Sequence, residues 1–456
     1  MHNAHGKNTV RYYITLIVLI VFLFFSNDFG LIDIQKTAIV TAVGIDREEE
    51  EFILTSQIAV PQSSKQGKAT QSVQIVSRGK TIADAFDEIN AKTGWYPKLV
   101  FCNLILLGKK TTEQNVFDAL DYFLRDEYLS DNCLLAACDG FAKDLLNTTA
   151  LVDSTNSMAM EKVLSSHAER VGFVLPASLK DFAIGYFSES RCGYMPVLKT
   201  EPQQEQIGNN EKDQNSENNP NSGNDSGSAS DSSSSSSSSA SSSDTASSSE
   251  NLSSQNSSSE KEQSSESSAQ SPSSQSGESS EGSKTENKPV FSASETALFV
   301  DGKRVGSFTR EETFAFGAVK SNLKLAAYTL KQNEDVCTLT IRHNDTKTKL
   351  SIGKDDRACL KVRISLRAGV LDYSKSQDLT QTKDAGDVPQ GIFPAAEKKL
   401  AAEIKQVFEK CRLLGCDLFG ILERLEKYEQ KHFDHLKNTA LDSAIVDVHV
   451  HIGNIR

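Results

Sequence analysis

Two histidines near the C-terminus have a spacing that could begin a metal site. His449 and His451 are two residues apart in an apolar stretch, so in a strand both imidazoles would project from the same face. No third ligand is identifiable beside them, and Val448, Val450 and Ile452 would occupy the opposite face as a core does. A solvated sheet face is therefore the favoured interpretation, and neither a metal site nor a cofactor site is predicted.

Acidic residues and short motifs give no sign of catalysis. Asp46 ends an apolar run beside an acidic turn, where a carboxylate that stabilises the turn is favoured over a catalytic or ion-binding one. The sequence contains no phosphate-binding Gly-x-x-x-x-Gly-Lys-Ser/Thr loop, no Gly-x-Ser-x-Gly elbow and no His-Glu-x-x-His helix. The run Asp417-Leu418-Phe419-Gly420 lacks the surroundings of a kinase. We predict no enzymatic activity and no catalytic residue.

A row of basic side chains marks one predicted strand near the C-terminus. Lys361, Arg363 and Arg367 alternate with apolar residues over 360–367, so one face is predicted to be buried and the other solvated. The basic row could meet acidic lipid or an acidic partner. An ordinary charged, solvated face is the favoured interpretation.

Arg125 and Asp126 end a helical pattern in the N-terminal half. A cation at this position complements the negative end of a helix, which is the favoured explanation for Arg125. Contact of Arg125 and Asp126 with a partner subunit is the alternative.

The elements that must position these residues differ between the two halves of the chain. In the N-terminal half, strands alternate with amphipathic helices, which favours a mixed α/β layer domain over 31–200. The predicted strands cover 38–46, 52–60, 73–77, 99–107 and 134–138, and the predicted helices begin near Thr81 and Thr111 and cover about 158–169 and 179–187.

The C-terminal half has strands first and helices last. A hairpin with an Asp-Gly turn is predicted within about 291–320, followed by four strands between 323 and 366, helices over about 394–414 and 418–436, and a closing strand at 444–452. The expected fold class of the whole chain is α+β (mixed α/β), multi-domain, with mixed and antiparallel sheets flanked by helices.

A Ser-rich acidic insertion separates the halves. Residues 201–290 contain 35 serines and few apolar residues, so the segment is predicted to be a disordered linker between an N-terminal domain at 31–200 and a C-terminal region at 291–456. Its length suggests that the halves fold independently. The insertion carries most of the formal net charge of −12, so the ordered part is nearly neutral and nucleic-acid binding is not expected.

The N-terminus predicts a membrane anchor within residues 1–30. Lys7 and Arg11 precede the apolar run 12–25, and Asp28 follows it. The positive flank places the rest of the chain outside the cytoplasm. The run is short for a membrane span, which leaves a cleaved signal peptide as the alternative, but small residues suited to cleavage are missing.

The chain has eight cysteines without a Cys-x-x-Cys pair. Several lie within apolar runs, so free thiols that pack as small hydrophobes are favoured. An exported location still permits disulfides, and the sequence does not assign their partners.

A series of short motifs resembles one known family. The motifs, in order, are Ala38–Asp46, Gly79–Ile82, Asp121–Asp126, Glu295–Phe299 with Val305-Gly306, and Asp417–Gly420 before a closing Val-x-Val strand. The series is similar to that of the Ger(x)C family, the C subunits of bacterial spore germinant receptors. That family usually carries an acylated cysteine about ten residues before the first strand, and here Asp28 stands at that position. No lipidation is therefore expected, and the apolar N-terminal run would hold the chain on the membrane.

The resemblance implies a non-catalytic, extracytoplasmic subunit at the spore inner membrane. It further implies assembly with an A-type and a transporter-like B-type membrane subunit, in complexes that sense nutrients such as amino acids or sugars. A membrane-anchored solute-binding or envelope-sensing module unrelated to germination is the alternative.

Overall fold

The computed structural model describes residues 11–21, 36–60, 71–148, 155–165, 172–202, 289–332, 335–374 and 391–455. The predicted disordered insertion lies almost entirely outside these residues, as do Asp28 and the end of the predicted membrane segment.

Thirteen strands are distributed over the described residues. They are β1 (Thr37–Glu48), β2 (Glu51–Val60), β3 (Gln71–Gly79), β4 (Tyr96–Lys98), β5 (Leu104–Leu107), β6 (Leu134–Cys138), β7 (Cys192–Glu201), β8 (Val290–Val300), β9 (Lys303–Phe308), β10 (Ala326–Gln332), β11 (Asp335–Ile352), β12 (Ala358–Ser374) and β13 (Ile445–Asn454).

The helices of the described residues lie mainly between these strands. They are α1 (11–21), α2 (Ile82–Thr93), α3 (Lys109–Thr112), α4 (Phe117–Arg125), α5 (Ala142–Leu146), α6 (Asn156–Leu164), α7 (Leu179–Phe187), α8 (Arg310–Val319), α9 (Ile392–Leu413), α10 (Ile421–Tyr428), α11 (Gln430–Leu436) and α12 (Ala440–Ser443). Together with two mixed sheets, they confirm the predicted α+β (mixed α/β) class.

The first sheet has the order β3-β2-β1-β5-β6-β7-β8-β9, and β4 pairs with the start of β1. Its centre is parallel, because β1, β5, β6 and β7 run in the same direction, and its flanks are antiparallel. Strands β5 and β6 consist almost entirely of buried apolar residues, as expected for strands covered on both faces.

The expected independence of the two halves is wrong. Strand β7 precedes the insertion and β8 follows it, yet the two form an antiparallel ladder from Cys192 opposite Val300 to Glu201 opposite Val290. The predicted hairpin, β8 and β9, therefore completes the first sheet rather than forming a separate subdomain. The sequence patterns did not predict β7, so the pairing of β7 with β8 across the insertion could not be predicted either.

The second sheet has the order β10-β11-β12-β13. The side chains of β12 alternate as predicted, with Leu360, Val362, Ile364 and Leu366 buried. Two of the predicted strands are parts of β11, which runs for 18 residues with shifts in its pairing to β12. Helix α9 covers this sheet with a buried apolar face that the sequence also predicted.

Capping residues set several helix boundaries. The Thr81 side chain accepts a hydrogen bond from the Asp84 backbone amide, as predicted for the start of α2. Helix α8 was missed, although Thr309 and Glu312 form a capping box at its start. The single helix predicted over 418–436 is interrupted at Glu429, so it consists of α10 and α11.

Candidate functional site

A cleft of about 730 Å³ lies between α7 and the segment Asp417–Arg424. Residues from both sides of the insertion line it, because the end of α8 and the outer side of β11 complete its wall. Five charged residues line it, and they are Asp181, Lys320, Asp417, Glu423 and Arg424. The cleft can therefore receive a polar ligand or a polar segment of a partner.

Two glycines bring α7 close to β7 at one wall of the cleft. A Cβ atom on Gly185 would lie 2.2 Å from the Cys192 carbonyl oxygen, and a Cβ atom on Gly193 would lie 2.7 Å from the Phe182 ring. Neither position has room for a side chain, so the wall is closely packed. Ile184 and Phe187 of the same helix remain exposed, at 59% and 72%.

Asp417 forms the opposite wall by fixing the start of α10. Its carboxylate accepts hydrogen bonds from the backbone amides of Ile421 at 2.9 Å and Leu422 at 2.7 Å. Burial raises the pKa of Asp417, and these hydrogen bonds oppose the rise. Arg424 braces the same turn by donating to the Phe419 carbonyl at 2.7 Å. The Asp417–Gly420 motif is therefore a helix-start device.

Lys320 supplies a positive charge to the cleft. Its Nζ atom lies 5.4 Å from the centre of the Phe316 ring and 5.9 Å from that of the Tyr194 ring. Although the residue is exposed, it lies in a concave wall, and desolvation followed by repulsion from Arg424 lowers the pKa of Lys320.

The Asp46 side chain contacts the start of helix α5 and not the turn that follows it in the sequence. Its two carboxylate oxygens accept hydrogen bonds from the backbone amides of Ala142 at 2.8 Å and Lys143 at 3.1 Å, which are the first residues of α5. Gly44 and Gly108 make room for this contact, since a Cβ atom on Gly108 would lie 2.0 Å from Asp46 Oδ1. The predicted structural role holds, but Asp46 caps a helix rather than its own turn.

Arg125 and Asp126 lie at the end of α4, as the sequence placed them. Arg125 Nε donates to Asp121 Oδ2 at 2.7 Å on an exposed surface. Asp126 Oδ1 accepts from the backbone amides of Tyr128 and Leu129, so this carboxylate orders the turn after the helix. Their contact with a partner stays a prediction.

The two candidate metal histidines are both exposed on the solvated face of β13. His449 Nε2 lies 3.1 Å from Asp447 Oδ1, and His451 Nδ1 lies 3.2 Å from Glu397 Oε1. They therefore contact different carboxylates. On the opposite face Val448 and Ile452 are buried, as predicted.

A different group of side chains could hold a divalent metal. Candidate ligand atoms of Asp356, His432 and His435 all lie within 4.8 Å of one another. His432 Nδ1 is buried without a hydrogen-bond partner, and His435 Nε2 lies 3.9 Å from Asp356 Oδ2. The spacing of three residues between the histidines on one helix was the signal that sequence reasoning overlooked.

The basic row on β12 is solvated, as favoured from the sequence. Sheet register places Lys347 of β11 opposite Arg363, and Arg363 opposite His449. Two ion pairs offset part of this positive charge, since Lys361 Nζ lies 3.8 Å from Asp447 Oδ2 and Lys347 Nζ lies 3.9 Å from Asp345 Oδ2.

The eight cysteines are free thiols, and only Cys359 is partly exposed. Cys102 and Cys133 are neighbouring thiols, and the Cys102 thiol together with burial raises the pKa of Cys133. Cys192 and Cys416 form a second such pair beside the cleft, which likewise raises the pKa of Cys416.

The N-terminal apolar run is helical where the structure describes it. Residues 11–21 form α1, and their side chains are exposed. Within the described ranges, no helix has both the length and the apolar character needed to cross a bilayer.

Two family models match the chain on either side of the insertion. The model for the spore germination protein N-terminal domain matches residues 31–200, and the model described as spore germination B3/GerAC like, C-terminal, matches residues 294–456. Together the matches span more than half of the chain.

Two individual proteins are also similar to this chain. Spore germination protein B3 of Bacillus subtilis (strain 168) is 30% identical over 151 residues, which are 31% of this chain and 39% of that protein. The chain thus matches about two fifths of the length of this relative. A solved structure titled as the crystal structure of the GerBC protein covers 91% of this chain and 97% of its own, with 14% identity and a TM-score of 0.47.

Proposed function

Because the chain belongs to the Ger(x)C family of spore germination proteins, we propose that it is a non-catalytic, extracytoplasmic subunit of a germinant receptor, needed for nutrient-triggered spore germination. The observation that carries this proposal is the ordered match of both family domains, one on each side of the insertion. The role of the chain would be to assemble with an A-type and a transporter-like B-type membrane subunit.

The N-terminal apolar run would hold the chain on the outer face of the spore inner membrane. The exposed apolar side chains of α1 support this role, because they have no partner surface in the described part of the chain and would be covered by lipid. Confinement at the membrane would raise the effective concentration of the folded part for its membrane partners.

Deletion of residues 1–27 tests the anchor. The shortened chain should leave washed spore membranes and appear in the soluble fraction, whereas the full chain should stay with the membranes. Retention of the shortened chain in the membranes would show that another surface attaches it.

Co-purification tests the assembly. An affinity tag placed within residues 203–288 avoids every described element. Solubilised spore membranes should yield the tagged chain together with two proteins that span the membrane several times, and loss of the gene should abolish germination in response to nutrients. A chain recovered alone, in spores that germinate normally without it, would contradict the proposal.

Charge reversal tests the predicted partner contact. Arg125 is exposed and bonded only to Asp121 among the described contacts, so Arg125→Glu should leave the fold intact. We expect this variant to reduce co-purification. Lys347→Glu is the matched control, because Lys347 is equally exposed and has one weak ion pair, with Asp345. Equal behaviour of the two variants would remove Arg125 from the interface.

The cleft favours solute binding as a second candidate function. Its volume suits a small polar molecule, and Lys320 provides a cation for a carboxylate. Amino acids and sugars should then raise the unfolding temperature of the chain. Lys320→Met should remove the effect of the amino acids, because it removes the cation that would pair with their carboxylate. Unchanged unfolding temperatures across both ligand classes would leave assembly as the function.

A further inference from the structure

Strand β4 and two loops of the first sheet expose an unusual group of aromatic side chains. Trp95, Tyr96, Phe101 and Tyr128 are exposed at 44%, 41%, 57% and 58%, and Val100 among them at 48%. We call these five residues the aromatic edge. Beyond α1, the other exposed aromatic residues of the described chain are scattered, at Phe141, Phe187 and Tyr428.

Strand directions place the aromatic edge on one side of the sheet. Strands β1, β4, β5 and β6 are parallel, so the N-terminal ends of all four strands point to the same side of the sheet. Residues 99–103 lead into β5 and residues 126–133 lead into β6, which brings both loops to that side. Lys98 Nζ lies 4.8 Å from the centre of the Tyr128 ring, which joins the two loops directly.

The same side of the sheet receives the chain from its N-terminal apolar run. Thr37 is the first residue of β1 and pairs with Tyr96, so the chain enters the fold directly beside the aromatic edge. Residues 26–36 connect the apolar run to Thr37, and even fully extended they span at most about 40 Å. Any membrane that holds the run therefore lies within reach of this side of the sheet.

The side chains of the aromatic edge suit the interface of a lipid bilayer. Tryptophan and tyrosine combine an apolar ring with a polar group, and both are enriched where hydrocarbon meets headgroups. Phe101 and Val100 can enter the apolar layer beside them, while the Lys98 ammonium can extend toward headgroups. In water, the same cluster is an unfavourable exposed apolar patch.

We propose that the aromatic edge lies against the phospholipid interface, with Trp95, Tyr96, Phe101 and Tyr128 among the headgroups. This orientation rests on the membrane anchor of the proposed function. It turns the opposite side of the sheet, where Asp46 meets α5, away from the membrane.

Trp95 is the sole tryptophan of the chain, so its fluorescence reports on the aromatic edge alone. The full chain would be reconstituted into phosphatidylcholine vesicles, isolated by flotation, and compared with vesicles containing brominated phosphatidylcholine. We expect a blue-shifted emission, loss of intensity with the brominated lipid, and protection from aqueous iodide.

The double variant Trp95→Phe, Phe141→Trp is the matched control. Phe141 is exposed at 43% and follows the end of β6, on the opposite side of the sheet. Its emission should be quenched by iodide and little affected by brominated lipid. Failure of the full chain to float with vesicles would remove the anchor and the orientation together. A floating chain whose Trp95 is quenched by iodide but not by brominated lipid would overturn the orientation and leave the anchor standing.

Discussion

At the scale of single residues, the clearest assignment concerns the buried carboxylate of Asp46. Both of its oxygens accept backbone hydrogen bonds at the start of α5. Asp46→Asn replaces one acceptor by a donor that faces an amide, so we expect a loss of roughly 1–2 kcal/mol in the free energy of unfolding at neutral pH. Urea unfolding measures the loss. Asp118→Asn, at an exposed position in the first turn of α4, should cost little.

The same carboxylate should give the stability a pH dependence. Burial raises the pKa of Asp46 in the folded chain, although its hydrogen bonds oppose the rise. The folded state therefore holds this proton more tightly than the unfolded state. The contribution of this proton to the free energy of unfolding is complete below the ordinary pKa of aspartate. It is lost as the pH rises through the raised pKa of Asp46. The difference between the native chain and Asp46→Asn should show this fall, and a difference independent of pH would contradict the assignment.

Thiol labelling tests the burial of the cysteines. With the chain reduced, iodoacetamide should modify Cys359 first, because the other seven are buried and burial keeps the thiols of Cys133 and Cys416 protonated. Mass spectrometry identifies the modified sites, and unfolding in urea should expose all eight. Rapid labelling of Cys192 or Cys416 in the native chain would show that the cleft opens between its walls.

At the scale of elements, the close contact of α7 with β7 should be sensitive to one added methyl group. In Gly185→Ala the new carbon would meet the Cys192 carbonyl oxygen, which belongs to the backbone and cannot rotate away. We expect a loss of about 1–3 kcal/mol in the free energy of unfolding. Gly140→Ala is the control, because nothing lies within 4 Å of the added atom. Equal stability of the two variants would show that α7 shifts without cost.

Helices and strands were predicted well from the sequence where apolar and polar residues recur with a regular period. The buried face of α2 and the alternation in β12 followed directly from apolar spacing, and the Thr81 cap was visible as a residue type. Strand β7 was missed because its buried and exposed residues do not alternate. The cleft could not be predicted either, since its walls come from segments that are far apart in the sequence and lie on both sides of the insertion.

At the scale of the whole molecule, the insertion joins two strands that are already hydrogen-bonded neighbours. Replacing residues 203–288 by a short turn should leave a single cooperative unfolding transition. It should also raise the free energy of unfolding by about 2 kcal/mol, because a shorter loop costs less entropy to close. Denaturant unfolding followed by circular dichroism measures both effects. Separate transitions or a loss of stability would mean that the insertion contributes contacts of its own.

The ladder between β7 and β8 also bears on what a protease could do to this protein. A cut anywhere within 203–288 breaks the covalent chain, but ten residue pairs still bind the two pieces through the sheet. Fragments ending near residue 202 and beginning near residue 289 should therefore reassemble when they are produced together, as a split protein does. Cleavage of the serine tract would then leave the protein nicked but intact.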